Sequence, residues 1–547
     1  MSWADPRQDG RPAVEESRLD QPADKAGPGS TAAVSPQRPP ITLPGLLGRV
    51  AIASDRQQSE AGSRVLDASS AGELLRAWAA VRVGLGERLS REQLLIRLGD
   101  DVAALDEALA QQVDAVLHHP EVQRLESSWR GLWWLVDQAE QATDDAAGAA
   151  RVAIRVLPVS KRELRRDRES AVEFDRSLLW RKVYEEEFGS PGGMPYGLLV
   201  TDFEFSHHPD DVSLLNGLSE VAMAAFAPLL ATPAPQLLGL ESLADLEMHV
   251  ADAVMQTSPD YVKWRALRER PESRFVGMPL PRVLARRPFD GWLGQPAAEG
   301  CAERTWSQRG FRYCERQDGP DGRNRLWMSA VWPLAGVIVR EFGRTGWFAD
   351  IRGGSRVAAG AGVVEGLPCE GYDGLGESRL RGPAEAFVTD AVQISLEDCG
   401  LIPLCSSLPD GKAVFHSNSS LHRLELFDDP AATSNAAISS MLQYVLCVSR
   451  FAHYLKVIGR DKVGGFQEAA DLRLFLSNWI NEYVTPDDEA SPETRARMPL
   501  RAAEVDVLED VAAPGEFRIV MRFQPHFQID RLDATLRLVS TIKKQGQ

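Results

Sequence analysis

The chain has 547 residues, with 61 Lys+Arg against 78 Asp+Glu and a formal net charge of −17. Hydrophobic residues make up 44% and charged residues 25%, the balance of a folded protein that buries a large core in roughly two to four domains. So acidic a chain repels phosphate backbones, which excludes nucleic acid as its main partner.

Residues 1–42 form a polar tail rich in Pro, Gly, Ser and charge, without the apolar centre of a secretory leader. Leu43, Leu46, Leu47, Val50 and Ile52 then make a short amphipathic segment, either a helix packed on its own domain or a docking peptide. Ser90 and Gln93 have capping-box spacing, and Val102, Leu105, Leu109, Val113 and Val116 recur at helical intervals up to His118-His119-Pro120. A second helix is expected over 121–141, with Leu125, Trp129, Leu132, Trp133 and Val136 as its apolar positions. Residues 151–158 alternate as a strand, and 161–168 read as a charged helix. A buried strand at 197–203 and a helix over 212–230 point to α/β organisation. The stretch 290–385 is rich in Gly and Arg and reads largely as loops. Long helices are expected at 435–458 and 467–484. The tail alternates in three strands, 504–508, 516–523 and 533–540, with Pro514-Gly515 as a turn. The fold class is thus mixed α/β (α+β), divided as a tail at 1–42, a helical region at 43–145, a central α/β domain at 146–385 and a C-terminal domain at 386–547.

Catalytic patterns are missing. There is no G-x-x-x-x-G-K-[ST], G-x-G-x-x-G, H-E-x-x-H or G-x-S-x-G. The six cysteines form no C-x-x-C pair and read as thiols of a reducing compartment. The run Glu185-Glu186-Glu187 reads as a solvated face or interface charge. The longest apolar run, 330–339, is interrupted by Pro333 and is about half the roughly 20 residues of a membrane span. The reading is of a non-enzymatic cytoplasmic protein with no cofactor, no metal and no membrane insertion. What remains is assembly chemistry: the terminal sheet, whose unpaired edge would template another strand, and two basic clusters. Arg450, His453, Lys456 and Arg460 follow at three, three and four, as a solvated face, internal salt bridges or an interface with an acidic partner. Lys263, Arg265, Arg268 and Arg270 leave the same alternatives open, with Trp264 and Leu267 anchoring that helix inward.

Several words run in a familiar order. They are Leu125 to Leu132 (LESSWRGL), Tyr184 to Gly189 (YEEEFG) with Pro195-Tyr196-Gly197, Tyr261 to Glu269 (YVKWRALRE), Pro281 to Arg286 (PRVLAR), Val364 to Pro368 (VEGLP), Arg450 to Lys456 (RFAHYLK), Arg460-Asp461-Lys462, and Arg522 to His526 with Leu536 to Ser540. In these words the chain resembles the large subunit of the type VI secretion contractile sheath, the TssC/VipB family. The resemblance implies a multi-domain sheath-subunit fold, an N-terminal helical region and C-terminal antiparallel strands completed by a partner. It implies pairing with a small sheath subunit (TssB/VipA-like), a tube around the Hcp inner tube, a baseplate, and a ClpV-like AAA+ unfoldase. It assigns Phe517, Ile519, Met521, Phe523, Leu536 and Leu538 to the intersubunit strands. Lys263, Arg265 and Arg268 become candidates for the face toward the inner tube, and Leu46, Leu47 and Val50 for the segment an unfoldase reads. A sheath protein of a related phage-tail-like injection particle is the alternative. The glycine-rich loop at 353–363 and the stretch 290–325 depart from the family pattern.

Overall fold

The computed structural model describes residues 69–82, 89–144, 152–189, 193–248, 255, 257–291, 311, 313–316, 324–353, 362–374, 377–407, 412–425, 427–461, 469–487, 490–509, 517–526 and 536–542. The chain divides into two compact units, residues 1–101 and 102–547. In the first, helix α1 (Ala71–Arg82) precedes the opening turns of α2 (Arg91–Leu117), and the Trp78 indole donates to Asp101 (2.8 Å). The expected capping box is present: Ser90 Oγ accepts from the Gln93 amide, and Gln93 Oε1 accepts from the Ser90 amide.

The second unit is built on a buried sheet. Strands β1 (Leu199–Phe205), β2 (Leu229–Pro233) and β3 (Val276–Gly277) are parallel in that order. One residue later, β4 (Pro279–Leu280) pairs parallel with β6 (Ile402–Ser407). The sheet continues through antiparallel β7 (Lys412–Phe415) to β5 (Val363–Val364). Both faces are covered. Leu229 and Leu401 enter one core with α5 (Pro209–Ala225), α6 (Val262–Arg268) and α8 (Asp390–Asp398), while their neighbours Leu230 and Ile402 enter another with α7 (Val331–Thr345). Successive strand side chains point to opposite faces, so a doubly covered sheet reads as continuous apolar runs. Ala386, Val388, Val392 and Leu396 belong to the first core, so the expected domain break at 385 falls inside central packing.

Helix α3 (Pro120–Asp144) lies directly on α7. A Cβ on Gly131 would stand 2.3 Å from the Trp332 ring, and one on Gly336 would stand 2.4 Å from the Trp134 ring. Each glycine therefore makes room for the other helix's indole. The face of α3 that packs inward carries Gly131, Leu135, Ala139 and Ala142. Of the apolar positions read from the sequence, Leu125, Trp129 and Trp133 line the exposed side instead.

Two expected helices are interrupted, for visible reasons. The helix expected over 212–230 stops at Ala225, where Phe226 turns left-handed (φ 53°), and Leu229 and Leu230 are strand. The helix expected over 435–458 is two helices, Pro430–Ser439 and α9 (Leu442–Asp461). Between them Met441 bridges Ser419, the Ser420 amide donates to Ser440 O, and the Leu442 amide donates to Asn418 O. Those bonds claim the groups a continuous helix would use. The C-terminal region adds α10 (Ala469–Asn481) and the antiparallel sheet β8 (Leu500–Glu509), β9 (Phe517–Pro525), β10 (Leu536–Ile542) in that order. Its core is aromatic: Phe451 stacks on Phe523 (4.9 Å) and lies 4.5 Å from Trp347.

Candidate assembly interface

The terminal sheet has one occupied centre and two unlike edges. On β9, Phe517, Ile519, Met521 and Phe523 are all buried in the chain's own C-terminal core, Ile519 fully so. β9 is also the middle strand. These four side chains fasten the sheet to α9 and α10, so an added strand would meet an outer edge rather than these residues. Leu536 and Leu538 stand on β10 opposite Phe523 and Met521. Their side chains lie outside the described residues.

The β8 edge is occupied at Leu500 and Val505. The Leu500 amide donates to Tyr483 O (3.2 Å), the Thr485 amide donates to Leu500 O (2.9 Å), and Arg473 Nε donates to Val505 O (3.1 Å). Leu500 therefore turns its groups away from β9, which is why Pro525, without an N–H, is tolerated opposite it. The register slips between Leu500 and Ala502, after which Val505 again faces outward. Antiparallel pairs alternate between bonded and non-bonded. Met521 must then turn its groups toward Leu538, leaving Arg537, Val539 and Thr541 with outward groups on β10. No described backbone group bonds to that outer edge.

The basic stripe on α9 is not a surface. Arg450 lies over Phe342 (4.6 Å), Tyr454 (5.0 Å) and Trp347 (5.3 Å), and donates to the Tyr454 hydroxyl (2.7 Å). His453 Nε2 bonds Ala225 O (3.0 Å). Lys456 Nζ sits 4.6–4.7 Å from the rings of Tyr184, Phe188 and Phe226. Burial lowers its pKa to about 8, with the ring faces taking the place of a carboxylate partner. The stripe joins α9 to the end of α5 and to the helical turns over 178–188. The Arg460 side chain lies outside the described residues.

This packing gives a pH signature. Burial, helped by Lys456 and Arg450, pushes the His453 pKa down to about 4 from 6.5. Between these values the unfolded chain binds the proton and the folded chain does not. The stabilisation is thus complete above pH 6.5 and is lost as pH falls toward 4, on the order of 3 kcal/mol in all. In urea unfolding over this range, His453→Gln is expected to give a shallower pH dependence than the parent chain. Parallel curves would contradict the burial of a neutral imidazole.

The second basic cluster is internal at two of its four positions, Lys263 and Arg270 being exposed. Arg265 Nη1 donates to Met255 O and Ser258 O (both 2.9 Å). Buried Arg268 donates to Leu421 O (3.1 Å) and Asp398 O (2.8 Å). Both serve as struts, and only Lys263 of the three is exposed. Within the Glu run, Glu187 is buried rather than solvated: it pairs with Arg155 and accepts from the Met194 amide (2.8 Å). Leu46, Leu47 and Val50 lie outside the described residues. The surface that sequence reading missed is on α3, where Leu125, Trp129 and Trp133 repeat every four residues at 62–71% exposure. That spacing alone could have found it, because three bulky residues on one stripe compete with the glycine face for the core.

Residues 99–422 match the EvpB/VC_A0108 tail sheath N-terminal domain, and residues 431–542 match the tail sheath gpW/gp25-like domain of the same family. The two in succession place the chain in a class, the tail sheath subunits. The type VI secretion system sheath protein TssC1 of Pseudomonas aeruginosa is 37% identical over 445 residues, covering 81% of this chain and 85% of its own length. The chain belongs to the TssC/VipB family of type VI sheath large subunits. That family is structural. No helix among the described residues is long and apolar enough to cross a membrane.

Proposed function

We propose that the chain pairs with a small, TssB/VipA-like sheath subunit and that the pairs stack into a tube around an Hcp inner tube, above a baseplate, in the cytoplasm. The tube contracts and drives the inner tube outward. The observation that carries this reading is the terminal sheet of a sheath-family chain, with its β8 edge occupied at Leu500 and Val505 and the backbone of β10 turned outward with no described backbone partner. Strand addition there would link subunits through main-chain bonds, which keep their register while bodies rotate. Such a device stores its energy in a bistable lattice and calls for no cofactor or catalytic group. Lys263 remains the candidate for the inner-tube face, and Leu46, Leu47 and Val50 for a ClpV-like unfoldase. The test is co-purification of the tagged chain with a co-expressed TssB/VipA-like small subunit. A stable complex is expected. Sheath tubes formed by the large chain alone would place it instead with single-subunit, phage-tail-like particles.

A further inference from the structure

From Val102 onward α2 belongs to the second unit, and its polar side holds it there. The Tyr313 hydroxyl donates to Asp114 (2.5 Å), and the Arg316 amide donates to the same oxygen (3.5 Å). The Arg316 guanidinium reaches Glu107. Of the 27 residues of α2 only Asp114 is buried, and none enters a described core. An amphipathic helix on a folded body ordinarily does the reverse and turns its apolar stripe inward.

The apolar stripe of α2 faces out and repeats every seven residues. Leu95, Val102, Leu109 and Val116 take the first position of a heptad, and Leu98, Leu105 and Gln112 take the fourth. Leu95, Val102, Leu105, Leu109 and Val116 are 43–60% exposed. Asp100, Glu107 and Asp114 follow at the same interval on the opposite side of the helix. The bonds to Tyr313 and Arg316 therefore hold α2 with its seam toward solvent. A seven-residue repeat sustained over about 30 Å of helix is the pattern of a coiled-coil strand. A helix draws most of its stability from packing its apolar side, and α2 finds no such packing among the described residues.

We propose that α2 is one strand of a two-stranded coiled coil, its partner a helix of a different protein with an apolar seam flanked by Lys or Arg. Valine at the first heptad position with leucine at the fourth favours two strands. The partner's charge follows from what lies beside the seam. From Leu98 to Leu117 the helix carries Asp100, Asp101, Asp106, Glu107 and Asp114, and no Lys or Arg. Asp106 flanks the seam and has no partner among the described residues. Gly99, Ala108 and Ala115, also on the flanks, leave room for long basic side chains to lie across the seam. A second copy of α2 would bring no base to Asp106 over that span, so like charges oppose self-pairing. The proposal does not depend on strand addition at β10.

Two synthetic peptides of about 25 residues test it, both with Val and Leu in the heptad seam, one flanked by Lys and the other by Glu. Like charges keep either peptide from pairing with itself. Each is titrated into the purified full chain by calorimetry. The Lys peptide is expected to bind, and the Glu peptide to bind about tenfold more weakly or less. Leu105→Ser combined with Leu109→Ser is expected to weaken binding of the Lys peptide by about tenfold or more. The melting curve of that variant is expected to stay unchanged, because neither side chain is buried. Undiminished binding to the variant would place the peptide elsewhere on this acidic chain and overturn the seam. Equal affinity for both peptides would overturn the choice of a basic partner. Self-association of the parent chain that the variant abolishes would make a second copy the occupant and overturn the proposal. No binding of either peptide would overturn the coiled coil outright.

Discussion

Arg286→Ala is expected to lower the unfolding free energy by about 3–5 kcal/mol, because it removes one partner of a buried ionic cluster. Arg286 Nε donates to Glu126 (2.8 Å), and its two terminal nitrogens reach Glu315 (2.5 and 3.3 Å). Glu315 also accepts from the Phe289 amide (3.0 Å) and approaches His118 (3.2 Å), and its side chain is only 2% exposed. Burial raises the Glu126 carboxyl, but Arg286 and Arg130 outweigh it and hold the pKa below the usual range. Without the guanidinium, two carboxylates would be left close together, one of them cut off from water. The cluster joins α3 and the residues after α2 to the chain at 286–315, so its loss is expected to free that helical pair first. Adding Glu315→Gln to Arg286→Met should cost less than Arg286→Ala alone, since no buried charge is then left at 315. Urea unfolding compares both variants with the parent chain. A loss below about 1 kcal/mol for Arg286→Ala would show the cluster to be solvated.

Val539→Pro is expected to abolish sheath assembly while leaving the isolated chain folded. Val539 sits opposite Val520 at a position whose backbone groups turn away from β9. Proline there removes a donor only from the outer edge, a place where sheets tolerate it. Leu538→Pro is the contrast. Its amide belongs to the pair with Met521, so that change should damage the sheet and lower the melting temperature. Normal tubes from Val539→Pro would remove β10 as the linking edge. Loss of assembly accompanied by unfolding in both variants would contradict the register assigned here.

The elements that were legible in the sequence are those whose causes are local. Ser90 and Gln93 announce the start of α2, and the alternation over 516–523 announces β9. The family words are collinear, and many of them close contacts in the fold. The Tyr184–Phe188 word meets the Arg450–Lys456 word at the Lys456 cage. Gly131, in the first word, lies under Trp332. What was hidden depends on distant partners. Three bases at helical spacing read as a stripe for water or an acidic partner. Their burial is set by Phe342, Trp347, Ala225 and Phe226, more than a hundred residues away. The split at Ser440 is dictated by Asn418, Ser419 and Ser420. The alternation at 151–158 was read as a strand, yet residues 152–159 carry no strand in the structure, and no local rule reveals whether such a stretch finds a partner.

The central claim is that this chain builds a tube only with a second, smaller subunit. Electron microscopy of cells co-expressing the two decides it. Long hollow tubes containing both chains are expected, with none from either chain expressed alone. Tubes from this chain alone, or soluble complexes that never lengthen, would contradict it.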